Sequence, residues 1–75
     1  MEADIFVDAK GLSCPMPIVK AKKAIEGLES GQIMQLESTD KGSLNDFQSW
    51  VKRTNNELVK VEEDNDVFRF FVKKG

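Results

Sequence analysis

The chain has 75 residues, 32% charged and 40% hydrophobic, with a formal net charge of −2, one cysteine and no histidine. That is enough for one domain, residues 1–75, with a hydrophobic core, but it lacks the basic footprint of a dedicated nucleic-acid binder, the partner for an internal disulfide and the histidine of Cys–His or Ser–His–Asp catalysis. A domain this short buries only about 60% of the surface its unfolded chain exposes, so no large enclosed active-site cavity is expected and any chemistry belongs on the surface.

Ile5-Phe6-Val7, β-branched and aromatic between Asp4 and Asp8, predicts a first strand, which Lys10-Gly11 breaks. After Cys14-Pro15-Met16-Pro17, the residues Ile18, Ala21, Ile25 and Leu28 recur at helical spacing as one apolar stripe, with Lys20, Lys22 and Lys23 largely off it. Pro15 marks the helix start, and Gly27 or Ser30-Gly31 its end. Ile33 to Ser38 alternates as a second strand, Met34 and Leu36 on one face, Gln35 and Glu37 on the other. Thr39 to Gly42 reads as a loop. Ser43 with Asp46 resembles a capping box opening a second helix, whose stripe is Leu44, Phe47, Trp50 and Val51 and whose end is Asn55-Asn56. Leu58 to Glu62 and Val67 to Val72 make two further strands around the turn Asp64-Asn65-Asp66, with Phe68 and Phe70 on one face and Arg69 and Phe71 on the other. The order βαβαββ predicts an α/β (α+β) two-layer sandwich. Its mixed four-stranded sheet has the first two strands parallel, the last two in an antiparallel hairpin, and both helices on one face.

Asp4, Asp8 and Lys10 interrupt any signal-peptide core, and the apolar run from Cys14 to Val19 is far short of the roughly 18 residues of a membrane span. A cytoplasmic protein without membrane insertion is expected, and a monomer, since nothing calls for an obligate dimer. One cysteine with carboxylates makes a poor zinc site, so neither metal nor cofactor is expected.

Cys14 carries the chemistry. A residue before proline is pushed out of the helical region, so Cys14 reads as the N-cap and Pro15 as the first helical residue, which sets the sulfur where helix amides and the positive dipole end converge. Pro15 and Pro17 have no amide hydrogen, so Met16 is left as the main local donor to the sulfur; Met16 also precedes Pro17, which would let the helix begin half a turn later. A free cysteine has a pKa of about 8.5, and a helix end worth up to about 2 kcal/mol lowers it by at most about 1.5 units. Lys10, Lys20, Lys22 and Lys23 add positive charge in a stretch with no acidic residue. The expected thiol is activated but not extreme, suited to sulfur exchange rather than hydrolysis.

The run Asp8-Ala9-Lys10-Gly11-Leu12-Ser13-Cys14-Pro15-Met16-Pro17 resembles the signature of the TusA-like (SirA-like) sulfur-carrier family. Thr39-Asp40, Trp50 and the final hairpin fit that layout, so the resemblance covers essentially the whole chain. It implies a βαβαββ two-layer fold and a persulfide on Cys14. The sulfur would come from a donor such as a cysteine desulfurase or a rhodanese-like protein and go to a thiol on an acceptor protein, toward tRNA 2-thiouridine synthesis or sulfur oxidation. In effect this is a sulfurtransferase acting between proteins. Ser13 and Met16 depart from the tRNA-thiolating members, where an arginine precedes the cysteine and an acidic residue separates the prolines. The carrier chemistry survives those departures, but the tRNA route loses its markers.

Plainer readings compete at each position. Cys14 alone would read as a buried small apolar residue, and the double-proline start and the resemblance outweigh that. Gly11 is a turn glycine, Leu12 either core or an apolar ledge beside the sulfur, and Asp8 and Asp40 turn residues rather than bases. Lys10, Lys20, Lys22 and Lys23 are a solvated face by habit, and their closeness to Cys14 adds a role in steering a partner, for whose docking Asp40 is a further candidate. Phe68, Phe70 and Trp50 read as core rather than a stacking platform for bases. Two other functions stay open: a non-enzymatic RNA- or protein-binding α/β module, in which Cys14 is incidental, and a thiol redox sensor, whose disulfide would have to be intermolecular.

Overall fold

In a computed structural model of the chain, residues 3–13 and 15–75 are described. The elements are β1 (Ile5–Ala9), α1 (Met16–Glu26), β2 (Ile33–Ser38), α2 (Ser43–Arg53), β3 (Glu57–Asp64) and β4 (Val67–Lys73). They form the expected α/β two-layer sandwich. The sheet runs β1-β2-β4-β3, with β1 parallel to β2 and β4 antiparallel to both of its neighbours.

Strand composition explains that order. β4 is nearly continuous in Val and Phe, and it lies inside the sheet, where both faces have something to bury. β3 is charged along its length and carries an irregularity between Leu58 and Lys60, two features that suit an outer strand and discourage pairing with another chain. At the hairpin, Asn65 and Asp66 both adopt positive φ, 51° and 65°, the conformation a two-residue turn between twisted strands requires.

Alternation sorts the sheet into layers. Met34, Leu36, Phe68, Phe70 and Val72 point to the helix side and are buried against Ala21 and Ile25 of α1 and Phe47, Trp50 and Val51 of α2. Phe47 stacks on Phe70 with ring centroids 4.4 Å apart and meets Trp50 edge-on at 5.7 Å. Leu44, expected in the α2 stripe, sits at its edge and is exposed.

Both helix starts differ from expectation by one residue. Pro15, expected as the first helical residue, occupies the α1 cap position with φ −96° and ψ 10°, and the Val19 amide donates to its carbonyl at 3.1 Å. The cause lies in a preceding turn: the Met16 amide donates to the Ser13 carbonyl at 2.9 Å, and helical bonding starts only after it. At α2 the cap is Gly42, and the capping box does not form. Ser43 is instead the first helical residue, and its hydroxyl pairs with that of Ser38 at 2.7 Å in the core, because a buried hydroxyl at the end of β2 needs a partner more than an exposed helix amide does. The other end of α2 closes as expected around Asn55, at φ 62°, with the Asn56 amide returning to the Val51 carbonyl.

On the sheet's open face an ion-pair row crosses all four strands. Lys10 bridges Asp8 (3.3 Å) and Glu37 (3.0 Å), Arg69 bridges Glu37 (2.8 Å) and Glu62 (3.0 Å), and Lys60 reaches Glu62 (2.9 Å). The Arg69 guanidinium, and after it Lys10, holds the Glu37 carboxyl below its ordinary value of 4.5; Lys60 and then Arg69 do the same for Glu62. A carboxyl with a depressed folded pKa contributes stability above its unfolded value and loses it as pH falls through the folded one. Urea midpoints are therefore expected to be flat from neutral pH down to about 5 and to fall below about 4.5. Glu37→Gln costs about 1 kcal/mol at neutral pH and flattens the acid limb.

Candidate functional site

β1 and β2 are parallel, so their C-terminal ends and the loops leaving them, residues 10–15 and 39–42, share one edge of the sheet. Both helices start there, which directs two positive dipole ends to the same edge, where ligands of open α/β sheets commonly lie. Cys14 belongs to the first of these loops in sequence and lies outside the described residues, as does its expected N-cap role.

The flanking residues are tied down one by one. The Lys10 amide donates to Asp8 Oδ1 at 3.0 Å, the Gly11 amide to Thr39 Oγ1 at 2.9 Å, and the Leu12 amide to the Ala9 carbonyl at 3.3 Å. Gly11 has φ +82°, a turn glycine as expected. Leu12 packs half-buried against the core, and Pro17 is buried beneath the start of α1. The Met16 amide, expected to serve the sulfur, is engaged with the Ser13 carbonyl, and the Met16 side chain is exposed.

The charged candidates separate. Lys10 is held in the ion-pair row, and its hydrogen bonds to Glu37 and then Asp8 raise its pKa. Asp8 is a turn residue, its pKa lowered first by the Lys10 amide. The Lys20 ammonium caps the Asp8 carbonyl at 3.3 Å, which keeps it at the same edge. Lys23 is exposed one turn further along α1, and Lys22 faces a groove with Glu26, Trp50 and Thr54 at the opposite end of the molecule. Asp40 accepts the Gly42 amide at 3.1 Å, and its own amide donates to Ser38 Oγ at 3.2 Å, which ties the second loop to the end of β2. The groove between α2 and β3, lined by Gln48, Val51, Lys52 and Leu58, is likewise remote from residues 10–17.

The contact between Gly11 and Thr39 was not legible beforehand, because residues 28 positions apart meet only once β1 and β2 pair in register, Ala9 beside Ser38. The Ser38–Ser43 pair left a faint signal: Ser38 continues the buried register of Met34 and Leu36, where a hydroxyl requires a partner.

What this edge offers is a hydrogen-bonded turn at residues 9–12 beside two helix starts, with exposed apolar side chains at Met16 and Val19 (44% and 39% accessible) and lysines at 20 and 23 on the same outer face of α1. Among the described residues no helix is long and apolar enough to cross a membrane.

The comparisons agree with that architecture. The family described as Sulfurtransferase TusA matches residues 5–74. The Bacillus subtilis protein YrkI is 47% identical over 75 residues, all of both chains. The sulfur carrier protein TusA of Allochromatium vinosum is 44% identical over 72 residues, 96% of this chain and 95% of that one. The crystal structure of a SirA-like protein from Desulfitobacterium hafniense superposes with a TM-score of 0.81 at 29% identity, covering 95% of this chain and 97% of the other. The chain belongs to the TusA sulfurtransferase family.

Proposed function

We propose that this protein is a sulfur carrier that holds a persulfide on Cys14 and relays it between a donor and an acceptor protein in the cytoplasm. The observation that carries the reading is that the chain's only cysteine falls in sequence between β1 and α1 of a TusA-family chain, with no histidine anywhere to support hydrolytic chemistry.

In loading, the Cys14 thiolate attacks the outer sulfur of a donor persulfide. A bond forms between Cys14 Sγ and that sulfur, the donor's own S–S bond breaks, and the donor cysteine leaves as a thiolate. In delivery, an acceptor thiolate attacks the same outer sulfur and Cys14 leaves as the thiolate. No net oxidation occurs at either step, so neither metal nor redox cofactor is called for. A cysteine desulfurase or a rhodanese-like protein fits the donor role, and a protein thiol the acceptor role. The proline-flanked helix start favours the anionic forms of thiol and persulfide alike.

Incubation with a cysteine desulfurase and free cysteine is expected to add one sulfur atom to the chain by intact mass, removable by reductant. A chain that stays unmodified while a TusA relative loads under the same conditions overturns the reading.

Met16, Val19, Lys20 and Lys23 form an apolar patch edged with positive charge next to the thiol loop, suited to an acidic rim around a partner's cysteine. Charge reversal at both lysines, Lys20→Glu with Lys23→Glu, is expected to lower the second-order loading rate about three- to tenfold at low ionic strength and to weaken its salt dependence. Stopped assays over a salt series check both.

A further inference from the structure

We propose that Thr39 is a positioning residue for the Cys14 thiol, acting through the Gly11 amide; this deepens the carrier reading and rests on it for the loading step alone. Thr39 sits just beyond β2 and is exposed, with no core to support, yet its hydroxyl accepts the Gly11 amide at 2.9 Å. Among the described residues, this side-chain bond joins the two loops at the helix-start edge. Gly11 stands at φ +82°, a conformation with no steric preference of its own to hold it, and it precedes the cysteine by three residues. Thr39 is in turn fixed from both sides: Ser38 before it is buried and paired with Ser43, and the Asp40 amide after it donates to Ser38 Oγ. The second loop is therefore rigid, and Thr39 transmits that rigidity to the first. Loss of the hydroxyl frees the Gly11 amide and lets the loop wander relative to the α1 start. A wandering thiol gains less from the helix end, so less of it is thiolate and fewer encounters find it aligned.

The charged groups bordering the two loops are Asp8 and Lys10 from β1 and its loop, Lys20 from α1, Glu37 from β2, and Asp40, Lys41 and Asp46 around the start of α2. Thr39→Val, which keeps the shape and removes the acceptor, changes none of them. Thr39→Ser keeps the acceptor, and Thr39→Ala serves as a second deletion of the hydroxyl.

The test measures three quantities on the intact chain: Gly11 amide exchange by NMR, the pH profile of Cys14 alkylation by iodoacetamide, and persulfide loading from a cysteine desulfurase. For Thr39→Val and Thr39→Ala we expect Gly11 exchange about tenfold faster or more, an alkylation inflection raised by about half a unit, and loading slowed about threefold or more near neutral pH, with the unfolding midpoint close to wild type. Thr39→Ser should behave as wild type in all three. An alkylation profile of Thr39→Val that superposes on wild type, or a Thr39→Ser profile displaced as far as that of Thr39→Val, overturns the proposal. The two readings fail separately: a wild type that never loads but whose alkylation responds to Thr39→Val sinks the carrier role and leaves the positioning role, and loading unaffected by any Thr39 variant does the reverse.

Discussion

Cys14→Ser is expected to abolish sulfur loading completely while the protein still unfolds cooperatively. Transfer between persulfides requires an attacking thiolate and a thiolate leaving group. A serine hydroxyl supplies neither at neutral pH, and its bond to sulfur would not be resolved by a partner thiol. Nothing else in the chain takes over, because there is no second cysteine and no histidine. The residual rate should therefore be zero within detection rather than reduced by a factor. Wild-type loading in turn should climb with pH as the thiolate fraction grows, and level off above an inflection between about 7 and 8.5, the range bounded by an unperturbed cysteine and the most a helix end contributes. Mass spectrometry of the two proteins over a pH series reads both results. Sulfur retained on Cys14→Ser would place the loading site elsewhere and remove the basis of the relay. A wild-type inflection well above 8.5 would contradict the helix-end argument while leaving the relay possible.

Period and turn chemistry made most of the fold readable. The alternation of Met34 and Leu36 and of Phe68 and Phe70 identified one face of β2 and one of β4, and the structure buries those residues, with Ser38 and Val72 continuing the same faces. The stripes Ile18, Ala21, Ile25, Leu28 and Leu44, Phe47, Trp50, Val51 identified the inward faces of both helices: Ala21, Ile25, Phe47, Trp50 and Val51 are buried, Ile18 and Leu28 pack half-buried against the core, and Leu44 is exposed. The hairpin was legible from Asp64-Asn65-Asp66, since few other residues accept consecutive positive φ. The shifted start of α2 has its cause outside local sequence. Ser43 looked like a cap because local spacing favours a capping box, but burial is decided by the whole fold, and it gave that hydroxyl to Ser38.

The candidate site was legible only along the chain. Gly11, Leu12 and the two prolines stand together in sequence, and the backbone holds them together in space. Lys10 was read as positive charge near Cys14 with a role in steering a partner, yet it is committed to Glu37, 27 residues away, through β1–β2 pairing. Thr39 and the open-face ion-pair row depend on the same register. A parallel pair brings loops together that no local pattern links, so the residues that brace the thiol loop were the ones that sequence spacing could not show.

The largest effect on the fold itself should come from Phe70→Ala. Phe70 is fully buried at the centre of the sheet, between Leu36 and Val61 as its cross-strand partners, and stacks on Phe47, which is also fully buried. Truncation removes the ring's transfer free energy, leaves a cavity that a β-sheet closes poorly, and orphans the stacked ring, for a cost of about 3–5 kcal/mol. A chain of this length has a total stability of roughly 4–11 kcal/mol at the usual 0.05–0.15 kcal/mol per residue, so the variant should be partly unfolded at 37 °C or close to it. Phe6→Ala is the control. Phe6 lies on the open face of an outer strand, more than half exposed, and its loss should cost under about 1 kcal/mol. Trp50 is the only tryptophan, it is buried, and it touches Phe47, so its fluorescence reports the same core in a urea titration. A Phe70→Ala midpoint within experimental error of that of Phe6→Ala would mean that the stacked pair is not what closes the core. It would shift the weight onto Met34, Leu36 and Val72, the other fully buried apolar residues that face the helices from β2 and β4.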